Sequence, residues 1–224
     1  MAGQEQEDYA EAPLDAERVW CETRRSPLEA PRPALFLDRD GTLIELEPYL
    51  SEPGKVRPIA GAGRMIARAN AIGLPVIVIT NQSGIDRGYY GWAAFAAVQR
   101  RLERLIGVEG ARFDAVYACP HLPGGRAGEQ APGSLYRKPG PGMLLRAAEV
   151  LNLDLRRSWV VGDAASDLEA GLRAGLCRGW LVPTGYGARD AEAARSLTGA
   201  GFEVVVGRPI EALIGELDDL AAAL

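Results

Sequence analysis

The sequence predicts one α/β domain in which a parallel sheet is covered by helices on both faces. Three observations carry that prediction. Short apolar runs, several of them β-branched, alternate with stretches whose apolar residues recur every three or four positions. Glycine or proline stands at most of the changeovers. Polar clusters directly follow several of the apolar runs, which is the edge where an open parallel sheet gathers its ligands.

Residues 1 to about 31 show little periodicity and carry Glu5, Glu7, Asp8, Glu11, Asp15 and Glu17, so 1–30 is expected to be an acidic extension to a domain spanning 31–224. Pro31, Pro33 and the run Ala34-Leu35-Phe36-Leu37 then open a first buried strand. Residues 41–60, rich in Gly, Pro and Glu, read as a loop or flap. Met65, Ile66, Ala69, Ala71 and Ile72 return at helical spacing and stop at Gly73. The stretch Pro75–Thr80 is β-branched almost throughout, as suits a strand buried on both faces. Phe95, Val98, Leu102 and Leu105 predict a helix over 92–106, and Phe113–Ala118 a third strand. A Gly- and Pro-rich loop from Pro120 to Pro141 leads to a helix over 143–151, and Trp159-Val160-Val161 is a fourth strand. Leu168 and Leu172 mark another helix, and Trp180–Val182, Val204–Val206 and the amphipathic Ile210–Leu220 complete the series. The predicted architecture is a three-layer, Rossmann-like parallel sheet, with no insertion large enough for a separate cap domain.

Composition narrows the function. Apolar residues make up 47% and charged residues 25%, and no run approaches the roughly 20 apolar residues a membrane span needs, so no membrane partner is expected. The acidic start lacks the apolar run of a secretory signal, which points to the cytoplasm. Cys21, Cys119 and Cys177 are too few and scattered for a disulfide framework and are expected as free thiols. A net charge of −5 argues against a nucleic-acid partner; the run Arg100, Arg101 and Arg104 reads as a solvated helix face because Leu102 and Leu105 alternate with it. Lys55 and Lys138 are the only lysines, so any role needing an ammonium has two candidates.

Just after the apolar runs stand Asp38-Arg39-Asp40-Gly41-Thr42, Thr80-Asn81-Gln82-Ser83, Arg137-Lys138-Pro139 and Gly162-Asp163. Two carboxylates two residues apart leave one strand on the same side, and a third arrives from another strand; such an all-oxygen site selects Mg²⁺. A lysine and a threonine beside them would hold the oxygens of a tetrahedral anion. Singly, each element has an ordinary alternative: Asp-Gly is a common turn, and Asp163 could cap the helix beginning near Ala165. Four polar clusters at four predicted strand ends point instead to a shared catalytic edge.

The segments ALFLDRDGTLI, VIVITNQSGI, YRKPGPGM and VVGDAASDLEAG, in this order, resemble the four motifs of the haloacid dehalogenase (HAD) superfamily of phosphohydrolases. The forms DRDGT, TNQSGI and RKPGPGM are similar to the branch that holds the heptose bisphosphate and histidinol-phosphate phosphatases, over about Ala34 to Thr184. The resemblance implies Mg²⁺-dependent hydrolysis of a small phosphorylated metabolite through a phospho-aspartate, with the 7-phosphate of a heptose 1,7-bisphosphate as the leading substrate. Histidinol phosphate or another sugar phosphate is the alternative. It makes Asp38 the nucleophile and Asp40 the acid and then the base. Thr80 and Lys138 would hold the phosphoryl oxygens, while Asp38, the backbone carbonyl of Asp40 and Asp163 would bind Mg²⁺. Asn81, Gln82, Ser83 and Arg137 would contact substrate, Asp167 would brace the metal site, and Arg39 is assigned to the fold or a loop contact. A receiver-type signalling domain also uses a phosphorylatable aspartate, but Asp40 supplies the acid and base that turnover requires. A monomer is expected.

The chain departs from that branch in places. Many of its members carry a structural zinc held by Cys-x-His and a later Cys-x-Cys; here Cys119-Pro120-His121 remains, while Ser134 and Tyr136 stand where the second pair would be. Two ligands cannot close a tetrahedral structural site, so zinc is not expected and His121 reads as a loop residue. Ala164 after the aspartate and Asp86 in Ser83–Gly88 are further departures.

Overall fold

The computed structural model describes residues 12–122, 135–199 and 201–221. Among these, seven strands form one sheet: β1 (Trp20–Thr23), β2 (Leu35–Leu37), β3 (Val76–Asn81), β4 (Ala115–Cys119), β5 (Trp159–Gly162), β6 (Arg178–Leu181) and β7 (Glu203–Val206). Their spatial order is β1-β4-β3-β2-β5-β6-β7, parallel throughout except for β1, which runs antiparallel along β4.

Alternation along the strands divides the core in two. Leu35, Leu37, Val76, Val78, Val116, Val161 and Trp180 face one layer, where they meet α1 (Ala62–Ala71) through Met65 and Ile66, and α3 (Trp92–Gly107) through Phe95, Val98 and Leu102. Phe36, Ile77, Ile79, Tyr117 and Val160 face the other. There they meet Met143, Leu144 and Ala147 of α4 (Gly142–Leu151), Leu168 of α5 (Ala165–Ala174) and Ala194 of α6 (Gly187–Arg195). The central strands β2 to β5 are therefore buried on both faces, which is why they read as continuous apolar runs.

The structure adds what periodicity did not reveal. Residues 20–23, within the stretch expected as an extension, pair with the sheet edge, and Trp20 packs edge-on against Phe95. A four-residue strand is too short to show alternation. The short helix α2 (Ser83–Asp86) and α6 are also additions, and the amphipathic 210–220 stretch divides into a 3-10 segment, Ile210–Gly215, and α7 (Leu217–Ala221). Cys21, Cys119 and Cys177 are free. No helix among the described residues is long and apolar enough to cross a membrane.

The strand order reverses on either side of β2, whose neighbours are β3 and β5. A crevice beyond the carboxyl ends of these strands follows from that reversal.

Candidate active site

A cavity of 340 Å³ occupies that crevice, and Asp38, Asp40, Thr80, Asn81, Gln82, Ser83, Arg137, Lys138 and Asp163 all line it. The flap contributes Leu46 to Leu50, and Arg39, Gly84, Tyr90, Ala164, Ser166, Asp167 and Tyr186 complete the walls. One edge of the sheet thus collects every residue expected from the sequence to have a catalytic, substrate-binding or metal-binding role.

One side of the cavity is acidic. Asp38 follows β2, and its N–H donates to the carbonyl of Val161 at 2.9 Å, continuing the β2–β5 ladder. Asp163 follows β5, and Asp167 lies in the first turn of α5. All three are buried, and one carboxylate oxygen from each lies within 4.8 Å of the others. Opposite them, Lys138 Nζ donates to Asp38 Oδ1 at 2.5 Å and to the Ile79 carbonyl at 2.9 Å, and pairs with Asp167 Oδ1 at 2.7 Å. Its three hydrogens are all engaged. Burial works against the charge of Lys138, but Asp167 and Asp38 outweigh it and hold the ammonium firmly protonated. Lys138 is placed by its own backbone: Asn81 Nδ2 donates to the Lys138 carbonyl and Asn81 Oδ1 accepts the Lys138 N–H, both at 3.1 Å. The Asn81 carboxamide, expected to face substrate, is committed to that clamp.

Three carboxylates against one ammonium leave negative charge without a partner. Burial first, and then Asp167, Asp163 and Asp40, lift Asp38 well above the usual carboxylate range against the pull of Lys138. Burial and Asp167 likewise push Asp163 up to about 7, opposed by the Tyr186 N–H, which donates to its Oδ2 at 2.8 Å. These are the marks of a site shaped for a hard divalent cation, and the all-oxygen donor set fits Mg²⁺. Crowding agrees: Gly41 has φ +88°, and a Cβ there would stand 2.1 Å from Asp163 Oδ2. Asp163 is not a helix cap. The Ala164 N–H at the start of α5 donates to Asp167 Oδ2 at 3.0 Å instead.

The other side is built around Asp40. Its carboxylate does not join the cluster of Asp38 and Asp163; the third carboxylate there is that of Asp167. The reason is local: β2 ends at Leu37, and the N–H groups of Thr42, Leu43 and Ile44 all turn back onto the Arg39 carbonyl, so strand alternation no longer governs position 40. Arg39 Nε and Nη2 form a fork on Asp40 at 3.0–3.1 Å. Gln82 Nε2 donates to Asp40 Oδ2 at 2.8 Å, and the Thr80 hydroxyl donates to the same oxygen at 3.3 Å. Gln82 is itself oriented by Tyr90, whose hydroxyl donates to Gln82 Oε1 at 2.7 Å. Arg39 is 1% exposed and lies over the Phe95 ring, 5.1 Å from its centroid. Arg39, expected to serve the fold or a loop contact, is thus part of the site, and its place between two candidate carboxylates is the signal for it; Tyr90, which nothing local marks, joins through Gln82.

On the rim, Arg137 Nη1 donates to the His121 carbonyl at 3.1 Å, and burial and then Arg87 draw its guanidinium below its ordinary range. Tyr49 of the flap meets Tyr89 edge-on at 4.7 Å. Of the positions compared with zinc-bearing relatives, Ser134 lies outside the described residues, Tyr136 packs against the core, and burial pushes the Cys119 thiol up to about 11.

Comparison with known proteins places this geometry in a family. A HAD-hydrolase-like family model matches residues 135–205. A D-glycero-beta-D-manno-heptose-1,7-bisphosphate 7-phosphatase from Mesorhizobium japonicum is 45% identical over 213 residues, which is 95% of this chain and 92% of that protein. Among solved structures, a HAD-like phosphatase from Mesorhizobium loti superposes with a TM-score of 0.76 at 41% identity, covering 95% of this chain and 96% of the other. The D,D-heptose 1,7-bisphosphate phosphatase of B. bronchiseptica, solved with magnesium and phosphate, gives 0.72 at 30% identity over 84% of this chain and 98% of the other. With similarity of that extent running nearly end to end, the chain belongs to the D-glycero-D-manno-heptose-1,7-bisphosphate 7-phosphatase family of HAD-like hydrolases.

Proposed function

We propose that the protein removes the 7-phosphate of D-glycero-D-manno-heptose 1,7-bisphosphate by way of a phosphoryl group carried on Asp38. The observation that carries this reading is the division of the cavity: a buried Asp38–Asp163–Asp167 cluster with one ammonium on one side, and a separately held carboxylate, Asp40, on the other. The nucleophile and the group that moves protons have different tasks, and the cavity holds Asp38 and Asp40 in different surroundings.

Asp38, Asp163 and the Asp40 carbonyl would hold Mg²⁺, with Asp167 steadying the set through Lys138. When bound, the cation neutralises charge on the phosphoryl oxygens and so lowers their repulsion of Asp38. Asp38 attacks phosphorus with one carboxylate oxygen, the bond from phosphorus to the sugar oxygen breaks, and Asp40 gives that oxygen its proton. Asp40 then takes a proton from water as the water oxygen attacks phosphorus; the bond to Asp38 breaks and inorganic phosphate leaves. The positive charge of Lys138 holds the phosphoryl oxygens throughout, and the Thr80 hydroxyl joins it by turning from Asp40 to the phosphoryl group. Ser83 lies where it can meet the sugar, and Arg137 on the rim suits the second phosphate of a bisphosphate. All these groups come from one chain, which supports a working monomer.

Glu47 of the flap also lines the cavity and would suit an amine, which makes histidinol phosphate the second reading. The test is phosphate release in Mg²⁺ from the heptose bisphosphate, histidinol phosphate and common sugar monophosphates. The highest kcat/KM is expected for the heptose bisphosphate, with the 1-phosphate left in place. A higher value for histidinol phosphate would replace the first reading by the second.

A further inference from the structure

The one histidine of the chain, His121, sits just past β4 with its side chain 5% exposed, facing Asp86 of α2, which is 6% exposed. Its Nε2 stands 2.6 Å from the carbonyl oxygen of Glu17. A carbonyl only accepts, so Nε2 carries a hydrogen. The other ring nitrogen, Nδ1, is buried with no hydrogen-bond partner among the described residues and lies 3.7 Å from Asp86 Oδ2. A neutral ring with its hydrogen on Nε2 would turn a lone pair toward a buried carboxylate, and neither group would gain from the contact. An imidazolium would turn a proton toward it.

The same two residues fasten the main chain beside the cavity. Asp86 Oδ2 also accepts the Leu122 N–H at 3.3 Å, and the His121 carbonyl accepts from Arg137 Nη1 at 3.1 Å. We propose that His121 is an imidazolium paired with Asp86, and that this pair is a positioning device. It ties Glu17, the exit of β4 and α2 together and so fixes the carbonyl that aims Arg137 into the cavity. The inference rests on the reading of Arg137 as a substrate-binding group. It gives a role to two positions that the catalytic cycle leaves unused, one of them the histidine of the incomplete zinc pattern.

The test has two readouts on the whole protein. Nitrogen-15 spectra of the single imidazole at neutral pH are expected to show both ring nitrogens protonated, and Nδ1 to lose its proton in Asp86→Asn, a change that leaves an acceptor for the Leu122 N–H. In steady-state kinetics with the heptose bisphosphate, Asp86→Asn and His121→Gln should each raise KM roughly fivefold, the scale of one lost hydrogen bond, while kcat stays within about twofold. Thermal melting identifies any variant that fails to fold, and the other variant then stands in for it. A neutral ring in the wild type overturns the pairing. An unchanged KM in both variants, with KM raised in Arg137→Ala, overturns the positioning role. Arg137→Ala without effect on KM would instead sink the substrate reading, and the ring spectra would then judge the pair by themselves.

Discussion

The two sides of the cavity hold carboxylates under opposite conditions. Around Asp38, Asp163 and Asp167 there is too little positive charge: one ammonium serves three buried acids, and Asp38 and Asp163 are pushed upward in consequence. Around Asp40 the donors are abundant: the Arg39 fork, the Gln82 amide and the Thr80 hydroxyl all converge on one carboxylate. The first side is incomplete without a cation; the second is complete and held in place. The contrast teaches that metal binding and proton transfer are built from separate elements, although Asp38 and Asp40 are only two residues apart.

The sharpest way to break the comparison is to remove one carboxylate from each side. Asp38→Asn and Asp40→Asn should each lower kcat for phosphate release by roughly a thousandfold or more, by loss of the nucleophile and of the acid and base respectively. Near-normal turnover by either variant in a Mg²⁺-supplemented assay would remove that side from the chemistry.

Asp163→Asn affects the cation-deficient side alone. The Mg²⁺ concentration for half-maximal activity should rise about 10- to 100-fold, with turnover recovering at high Mg²⁺. The same side predicts a dependence on pH. In the metal-free protein Asp163 titrates near 7, above the ordinary 3.8, so its folded state favours the protonated acid. Its contribution to stability is therefore fully present below pH about 4 and is lost as pH rises through about 7. Mg²⁺, which needs the carboxylate, should raise the melting temperature more at pH 8 than at pH 5. An equal shift at both values would show that Asp163 does not titrate in this way.

How much of this was legible beforehand follows from the kind of signal each feature leaves. The central strands announced themselves because burial on both faces demands unbroken apolar runs, as in Val76–Thr80. Strand β1 did not, because four residues on an edge, WCET, carry no such demand. Asp38, Asp163 and Lys138 were visible through their places beside apolar runs, whereas the partner of each was not. Asp167 was placed at the metal site only through the resemblance; that Asn81 would clamp Lys138 depends on a crossing between elements 57 residues apart, and that Tyr90 would orient Gln82 on the turn after α2. Arg39 was visible as a residue but not as a fork on Asp40, because that geometry arises only once the chain turns after Leu37.

Smaller effects sharpen the donor-rich side. Arg39→Met keeps the packing on Phe95 but deletes the fork, and kcat should fall about tenfold or more while the Mg²⁺ requirement is unchanged. Tyr90→Phe removes only the group that orients the Gln82 amide, and a loss of less than about threefold is expected. A change in Mg²⁺ requirement in either variant would mean that the two sides are coupled.

Mass spectrometry of an acid-quenched, single-turnover mixture with the heptose bisphosphate tests the account most directly. One phosphoryl group is expected on the peptide that contains Asp38 and Asp40, localised to Asp38 and absent from Asp38→Asn. Rapid phosphate release with that peptide unmodified at every quench time, or modification on any other residue, would contradict it.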